Sequence, residues 1–176
     1  EHMNKYLMVD PASSNKQDSD YTAMAVIGLG TDDNYYLLEG IRDWLSLTER
    51  GDAVFSLHRR WKPAGVGYER YGMMADVEYL RERQQRENYR FDIAELGGQT
   101  SKIDRIKRMV PTFESGRFLL PETLLKVDCE GRHIDLIQSF TNEAYRAFPV
   151  GLHDYMFAAI GRIWDMDTVW PKPTVV

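Results

Sequence analysis

The first part of the chain contains three apolar runs that favour β-strands, and the way they are joined is the strongest constraint on the fold. The runs cover residues 5–9, 21–30 and 34–41, and each is rich in Val, Ile, Leu, Met or Tyr. Only the polar turn TDDN separates the second run from the third, which suits a hairpin. We therefore expect the chain to begin with three antiparallel strands.

The rest of the chain alternates between helical and strand-like patterns. Ser46 and Thr48 offer helix caps, and the helix that follows them is expected to end before Pro63. The later patterns predict, in order, strand 66–69, helix 74–89, strand 91–96, helix 102–109, a short strand in RFLLP, helix 134–147 and a last helix from 153 or 154 to 164. This order predicts an α/β fold with a mixed central sheet, an antiparallel three-strand start and helices on both faces.

Length and composition indicate one globular domain. A chain of 176 residues buries enough surface to fold without disulfides, and no apolar run approaches the roughly 18 to 20 residues of a membrane span. The single cysteine, Cys129, excludes an internal disulfide and a cysteine zinc site, which fits the cytoplasm. We expect residues 1–3 to be an expression-tag remnant, 4–167 to be the folded domain, and 168–176 to be an extended or disordered tail.

The net charge of −5 argues against a surface that coats nucleic acid generally. It is compatible with an enzyme that holds divalent cations in an acidic cleft and keeps local basic strips elsewhere. Composition therefore leaves nucleic-acid chemistry open but argues against a broadly basic binding surface.

Three carboxylates occupy comparable places in the predicted elements. Asp10 ends the first strand, Glu69 ends the fourth, and Asp154 stands at the front of the last helix. Mg²⁺ and Mn²⁺ take oxygen ligands, and rigid strand ends can supply them. Structural explanations remain open at this point: Asp10 could open a turn and Asp154 could interact with the helix dipole. Glu69 could also pair with Arg70 or Arg81.

Four stretches together resemble the C-terminal nuclease domain of the large terminase subunit of tailed bacteriophages, which has an RNase H-like fold. They span about residues 5–165 and read VDPA…SDYTAMAVIG, VGYERYGMMADVEYL, GGQTSKIDRI followed by RFLLP, and FTNEAYRAFPVGLHDYMFAAI. The last two are the most specific, because a Lys-x-x-Arg-Ile helix before a short strand and an FP-x-G-x-His-Asp turn into a helix rarely occur together in that order.

The resemblance implies a metal-dependent endonuclease that cleaves concatemeric double-stranded viral DNA during genome packaging. Asp10 matches the first catalytic carboxylate and Glu69 the second, and Asp154 lies in the motif that holds the third. Asp20 matches an acidic position before the second strand and is expected to be an accessory metal ligand or to orient a ligand through water.

The chain departs from the family pattern at the third carboxylate. The family often has two aspartates after the histidine, whereas Tyr155 follows Asp154 here. We expect Asp154 to take the role of the usual second aspartate, with His153 as a substitute ligand or as support from outside the coordination shell.

The resemblance also implies the cofactors and partners. The cofactors would be two Mg²⁺ or Mn²⁺ ions. The partners would be double-stranded DNA, the ATPase domain of the same terminase subunit, the small terminase subunit and the portal protein, in the cytoplasm of the infected bacterial host. No G-x-x-x-x-G-K-[ST] loop occurs, so the resemblance covers only the nuclease half. An ATPase domain would precede it in a full terminase, and we expect this chain to be an excised domain or a separate product.

One predicted helix carries four basic residues that are candidates for DNA contacts. They are Lys102, Arg105, Lys107 and Arg108. Positions 102, 105 and 108 share a helix face, which is plausible for contacts to the DNA backbone, although a solvated helix face is the alternative.

Two other functions remain open from the sequence. The same fold serves Holliday-junction resolvases and transposases, although the terminase-like motifs argue against them. The chain could also be a non-catalytic assembly module of the packaging machine, in which the carboxylates only cap and pair.

Overall fold

The structure is a computed structural model that describes residues 2–12, 21–70, 74–98, 101–145 and 155–172. Within these ranges the chain forms a six-stranded mixed sheet with helices on both faces, together with a separate two-stranded sheet. The predicted α/β fold with an antiparallel three-strand start is confirmed.

The first strand of the six-stranded sheet has an antiparallel neighbour on one side and a parallel neighbour on the other. The three opening strands are β1 (Met3–Asp10), β2 (Thr22–Gly30) and β3 (Tyr35–Asp43), paired in succession. The remaining strands are β4 (Gly65–Glu69), β5 (Ile93–Leu96) and β6 (Phe118–Leu119). The order is β5-β4-β1-β2-β3-β6, and β4 runs parallel to both β1 and β5.

Helices cover both faces of this sheet. Helices α1 (Leu47–Trp61) and α2 (Met74–Arg86) lie on one face, and α3 (Lys102–Glu114) and α5 (Tyr155–Gly161) on the other. We call these the α1/α2 face and the α3/α5 face. None of the helices in the described ranges has the length and apolar character that crossing a membrane requires.

The side chains of β1 alternate between the two cores, as the geometry of a strand requires. Tyr6 and Met8 belong to the core on the α3/α5 face, and Leu7 and Val9 to the core on the α1/α2 face. Both cores are built from buried apolar side chains, so the register of β1 is fixed.

The predicted boundaries of α1 are confirmed, whereas α3 is longer than predicted. Helix α3 was expected to end at Met109, but it continues through Pro111 to Glu114. Proline removes one backbone donor, yet Met109 is buried and Phe113 packs against the core on the α3/α5 face. Packing therefore outweighs the local effect of the proline.

The predicted helix over 134–147 is wrong in its first part. The structure has a hairpin of β7 (Leu125–Val127) and β8 (His133–Asp135), a short helix α4 (Leu136–Ser139) and a π-helical segment (Phe140–Tyr145). The Asp135 carboxylate accepts from the Ile137 and Leu124 backbone N–H groups. It therefore starts the helix later and closes the hairpin.

The end of the chain follows α5 through a 3-10 turn, Arg162–Asp165, and then runs extended. The Val169 N–H donates to the Tyr6 hydroxyl at 2.8 Å, and Trp170 packs edge-on against Tyr35 with ring centroids 4.9 Å apart. The described part of the expected tail is thus extended and anchored, and residues 173–176 lie outside the described ranges.

Candidate functional site

Asp10 and Glu69 end two adjacent parallel strands. Val9 pairs with Tyr68 in the register of β1 and β4, so Asp10 and Glu69 are the next residues along the two strands. Neighbouring strands lie about 4.8 Å apart. Because Val9 and Tyr68 face the α1/α2 core, alternation places both carboxylates on the α3/α5 face.

The chain beyond Asp10 is tied back to the next strand. The Ala12 N–H donates to the Thr22 hydroxyl at 3.2 Å, and Thr22 is fully buried at the start of β2. The chain directly after Asp10 is therefore held to the sheet at Ala12, and the aspartate stands on a fixed support.

The third predicted carboxylate, Asp154, lies outside the described residues, as do Asp20 and His153. Their predicted roles stay predictions. Helix α5, which begins directly after Asp154 in the sequence, packs on the α3/α5 face against β1 and β2. Ala159 and Ile160 of this helix are fully buried there.

Two guanidinium groups hold the carboxylate of Glu69. Arg162 donates from Nη2 to Oε1 and from Nε to Oε2, the latter at 3.1 Å. Arg105 donates from Nη2 to Oε1 at 3.3 Å. All three residues are buried: Glu69 is 5% exposed, Arg162 is 1% exposed and Arg105 is 5% exposed. Buried charges persist only with such pairing, so these three side chains form one unit. We call the two arginines that hold Glu69 the guanidinium clamp.

The two arginines that the sequence suggested as partners of Glu69 form ion pairs with a different residue. Arg70 and Arg81 both form ion pairs with Glu95, at 3.6 and 2.6 Å. Sequence reasoning did not single out Arg162, which lies 93 positions from Glu69 in the chain. No local pattern indicates such a distant contact.

Asp165 extends the network on the side away from Glu69. It accepts from Arg162 Nη1 at 2.8 Å and from Arg108 Nη2 at 2.7 Å. Burial opposes ionisation of Asp165, but the hydrogen bonds from Arg108 and Arg162 outweigh it and hold the pKa of the carboxyl below its usual range.

The four predicted DNA-contacting residues of α3 have different surroundings. Lys107 is exposed, and Arg108 is partly exposed while paired with Asp165. Arg105 is buried and paired with Glu69, so its guanidinium is not accessible to a DNA backbone in this structure. The side chain of Lys102 is outside the described part of the chain.

A second buried network fixes β4 from the other face. The Tyr68 hydroxyl donates to Asp76 Oδ2 at 2.5 Å, and Arg50 donates to the same carboxylate at 2.7 and 2.9 Å. Burial and the Asp76 charge raise the pKa of Tyr68, so its hydroxyl stays protonated and donates. The end of β4 that carries Glu69 is thus held from both sides of the sheet.

Comparison with solved structures identifies the fold. The human cytomegalovirus terminase nuclease domain matches 96% of this chain and 86% of its own, with a TM-score of 0.68 and 14% identity. The chain has the fold of a terminase nuclease domain. This terminase nuclease fold is the RNase H-like fold that the sequence predicted.

Two further structures agree with this assignment. The cytomegalovirus domain soaked with manganese and bound to an inhibitor matches 95% of this chain and 86% of its own, with a TM-score of 0.67 and 12% identity. The large terminase nuclease from thermophilic phage G20c matches 93% and 82%, with a TM-score of 0.59 and 15% identity. At the level of sequence, no family model and no curated protein matches the chain.

Proposed function

We propose that this chain is a metal-dependent endonuclease that cleaves concatemeric double-stranded DNA during viral genome packaging. The observation that carries the proposal is the placement of Asp10 and Glu69 at adjacent ends of β1 and β4, on one face of a terminase nuclease fold. In open α/β sheets, ligands bind outside the carboxyl ends of the strands.

The donor groups fit a hard divalent cation, because carboxylate oxygens are the ligands that Mg²⁺ and Mn²⁺ prefer. A carboxylate has about four acceptor positions, and the two arginines fill three of those on Glu69. Glu69 therefore fits as a ligand through one oxygen. In the described ranges no group of three or more His, Cys, Asp or Glu side chains could hold a metal ion, and Asp154 lies outside these ranges.

In the proposed mechanism, Asp10, Glu69 and Asp154 would hold two Mg²⁺ or Mn²⁺ ions, with Asp20 as an accessory ligand. Such ions, when bound, lower the pKa of a water molecule and stabilise the leaving oxygen of the phosphodiester. Arg105 and Arg162 fix the orientation of the Glu69 carboxylate through the guanidinium clamp.

The protein itself positions the DNA in this proposal. Lys107 and Arg108 lie on the exposed side of α3 and offer positive charge to the DNA backbone. The packaging role brings the ATPase domain, the small terminase subunit and the portal protein as partners, in the cytoplasm of an infected bacterial host. Because those partners align the DNA, we expect the isolated domain to cut slowly and without sequence preference.

Plasmid nicking with Mg²⁺ or Mn²⁺ tests the proposal. The variants Asp10→Asn, Glu69→Gln and Asp154→Asn should each lose at least about 100-fold in rate, because each removes a charged metal ligand. Asp20→Asn should be impaired less. The matched control is Glu122→Gln, which makes the same change at an exposed position and should cut at the parental rate. Circular dichroism of each variant checks that the fold is retained.

The outcomes separate the candidate functions. A parental rate in Asp10→Asn contradicts the proposal, and a parental rate in Asp154→Asn moves the third ligand elsewhere. Faster cutting of four-way junctions than of linear or supercoiled duplex favours a resolvase. Absence of both cutting and saturable Mn²⁺ binding favours an assembly module, for which the pairing of Glu69 with two arginines is the supporting observation.

A further inference from the structure

We propose that Arg162 and Arg105 are positioning residues that limit Glu69 to one metal-binding oxygen and lower the affinity of the site for a divalent cation. This inference rests on the proposed function and deepens it, because it assigns a role to the guanidinium clamp at the same site. It concerns how tightly the cation is held before DNA arrives.

The first step of the argument counts acceptor positions on Glu69. Oε1 accepts from both arginines, which fills the two lone pairs of that oxygen. Oε2 accepts from Arg162 Nε at 3.1 Å and keeps at most one lone pair. A cation can therefore be bound by Oε2 alone, and two-oxygen coordination would require Arg162 to withdraw.

The second step concerns charge. Both guanidinium groups carry a positive charge, and both contact the carboxylate that is proposed to bind a dication. Their charges offset the negative charge that attracts the cation, in surroundings where electrostatic interactions are weakly screened. The clamp thus orients the ligand and weakens cation binding at the same time.

The third step is that Arg162 cannot readily leave. It is 1% exposed, and Asp165 holds its remaining nitrogen, Nη1, at 2.8 Å. Asp165 is itself bound to Arg108. The clamp is therefore a fixed part of the site and not a passing surface contact.

Isothermal titration with Mn²⁺ in the absence of DNA, alongside plasmid nicking, tests the inference. Arg162→Gln removes the charge and most of the clamp, so Mn²⁺ should bind at least about tenfold more tightly, while nicking at saturating Mn²⁺ should fall at least about tenfold because the carboxylate is no longer oriented. This combination is diagnostic, since a purely structural role would not tighten metal binding.

Two further variants separate charge from geometry and guard against misfolding. Arg162→Lys keeps the charge but cannot donate from two nitrogens to both oxygens, so Mn²⁺ affinity should stay within about threefold of the parent while nicking still falls. Arg105→Gln removes the longer bond to Glu69, at 3.3 Å, and should tighten Mn²⁺ binding by a smaller factor. This variant tests the inference in the case that Arg162→Gln does not fold.

The matched control is Arg86→Gln. It makes the same charge change at an exposed position of α2, across the sheet from Glu69, and should leave Mn²⁺ affinity and nicking unchanged. Tighter binding in the clamp variants, including binding that appears only in them, supports the inference.

Two results would overturn it in different ways. Unchanged or weaker Mn²⁺ affinity in folded Arg162→Gln and Arg105→Gln, with a parent that binds Mn²⁺, overturns the inference alone. Absence of Mn²⁺ binding in the parent and in every variant overturns the proposed function together with it.

Discussion

At the scale of single residues, the carboxylate proposed to bind metal belongs to a charged network. An unpaired charge in the protein interior costs several kcal/mol, and Arg105 and Arg162 supply the counter-charges that Glu69 needs. Asp165 in turn holds Arg162 and connects it to Arg108. The stability of this network therefore depends on the pairing of its arginines with its carboxylates.

Asp165→Asn tests that dependence through pH. The pKa of Asp165 is lowered in the folded protein, so its contribution to stability is fully present above its unfolded pKa of about 3.9 and is lost as the pH falls through the lower, folded pKa. At about pH 7 the variant should be less stable by about 1–2 kcal/mol, because two guanidinium groups lose a charged acceptor that is still partly screened by solvent. Urea denaturation at several pH values measures the difference.

The difference between the parent and Asp165→Asn should shrink as the pH is lowered toward about 2. A difference that stays constant over this range would contradict the account. The matched control is Asp167→Asn, two positions along and exposed, which should change the free energy of unfolding by less than about 0.5 kcal/mol at about pH 7.

The residues of the candidate site were predictable only in part. Asp10 and Glu69 follow from the sequence, because an apolar run ends at each of them and marks a strand end. Arg105 was grouped with DNA-contacting residues, because helical spacing places it on one face with positions 102 and 108. Its burial against Glu69 arises where α3 packs against α5, and local spacing carries no information about that contact.

At the scale of elements, α1 shows how local signals set helix boundaries. Ser46 and Glu49 form a capping box, each side chain bonding to the backbone of the other residue. Lys62 closes the helix in a left-handed conformation, with its N–H donating to the His58 carbonyl, and Pro63 follows. These signals are carried by the sequence itself, which is why both ends of α1 were predicted.

Ser46→Ala should lower the free energy of unfolding by about 1 kcal/mol, because the Glu49 N–H loses its acceptor at the start of α1. The matched control is Ser56→Ala, the same change at an exposed position inside the same helix. It should be neutral or stabilising by up to about 0.5 kcal/mol, since alanine is the better helix former. Equal effects of the two changes in urea denaturation would show that the cap contributes nothing.

Elements that depend on distant contacts were predicted less well. The strands β7 and β8 are short, and Leu125 and Val127 are exposed, so no apolar pattern marks this hairpin. Ile137 and Phe140 have helical spacing and do face the core, but Asp135 starts the helix only at Leu136. Side-chain bonding to the backbone decided this boundary, and periodicity alone did not reveal it.

At the scale of the whole molecule, strand order explains why a site can form at the ends of β1 and β4. The hairpins place β2 and β3 on one side of β1, and the crossover through α1 returns β4 parallel to β1 on the other. Two carboxylates 59 positions apart in the sequence (69 − 10) therefore end adjacent strands. The terminase nuclease fold provides this arrangement, and the function proposed for it needs the two carboxylates to act together.

The central claim is that Asp10 and Glu69 share one divalent-cation site. Anomalous diffraction from Mn²⁺-soaked crystals tests it most directly, with Asp10→Asn crystals as the comparison. The account predicts a manganese peak about 2 Å from a carboxylate oxygen of Asp10 and from Oε2 of Glu69, absent in Asp10→Asn. Manganese bound only elsewhere, or carboxylates of residues 10, 69 and 154 too far apart to share an ion, would contradict it.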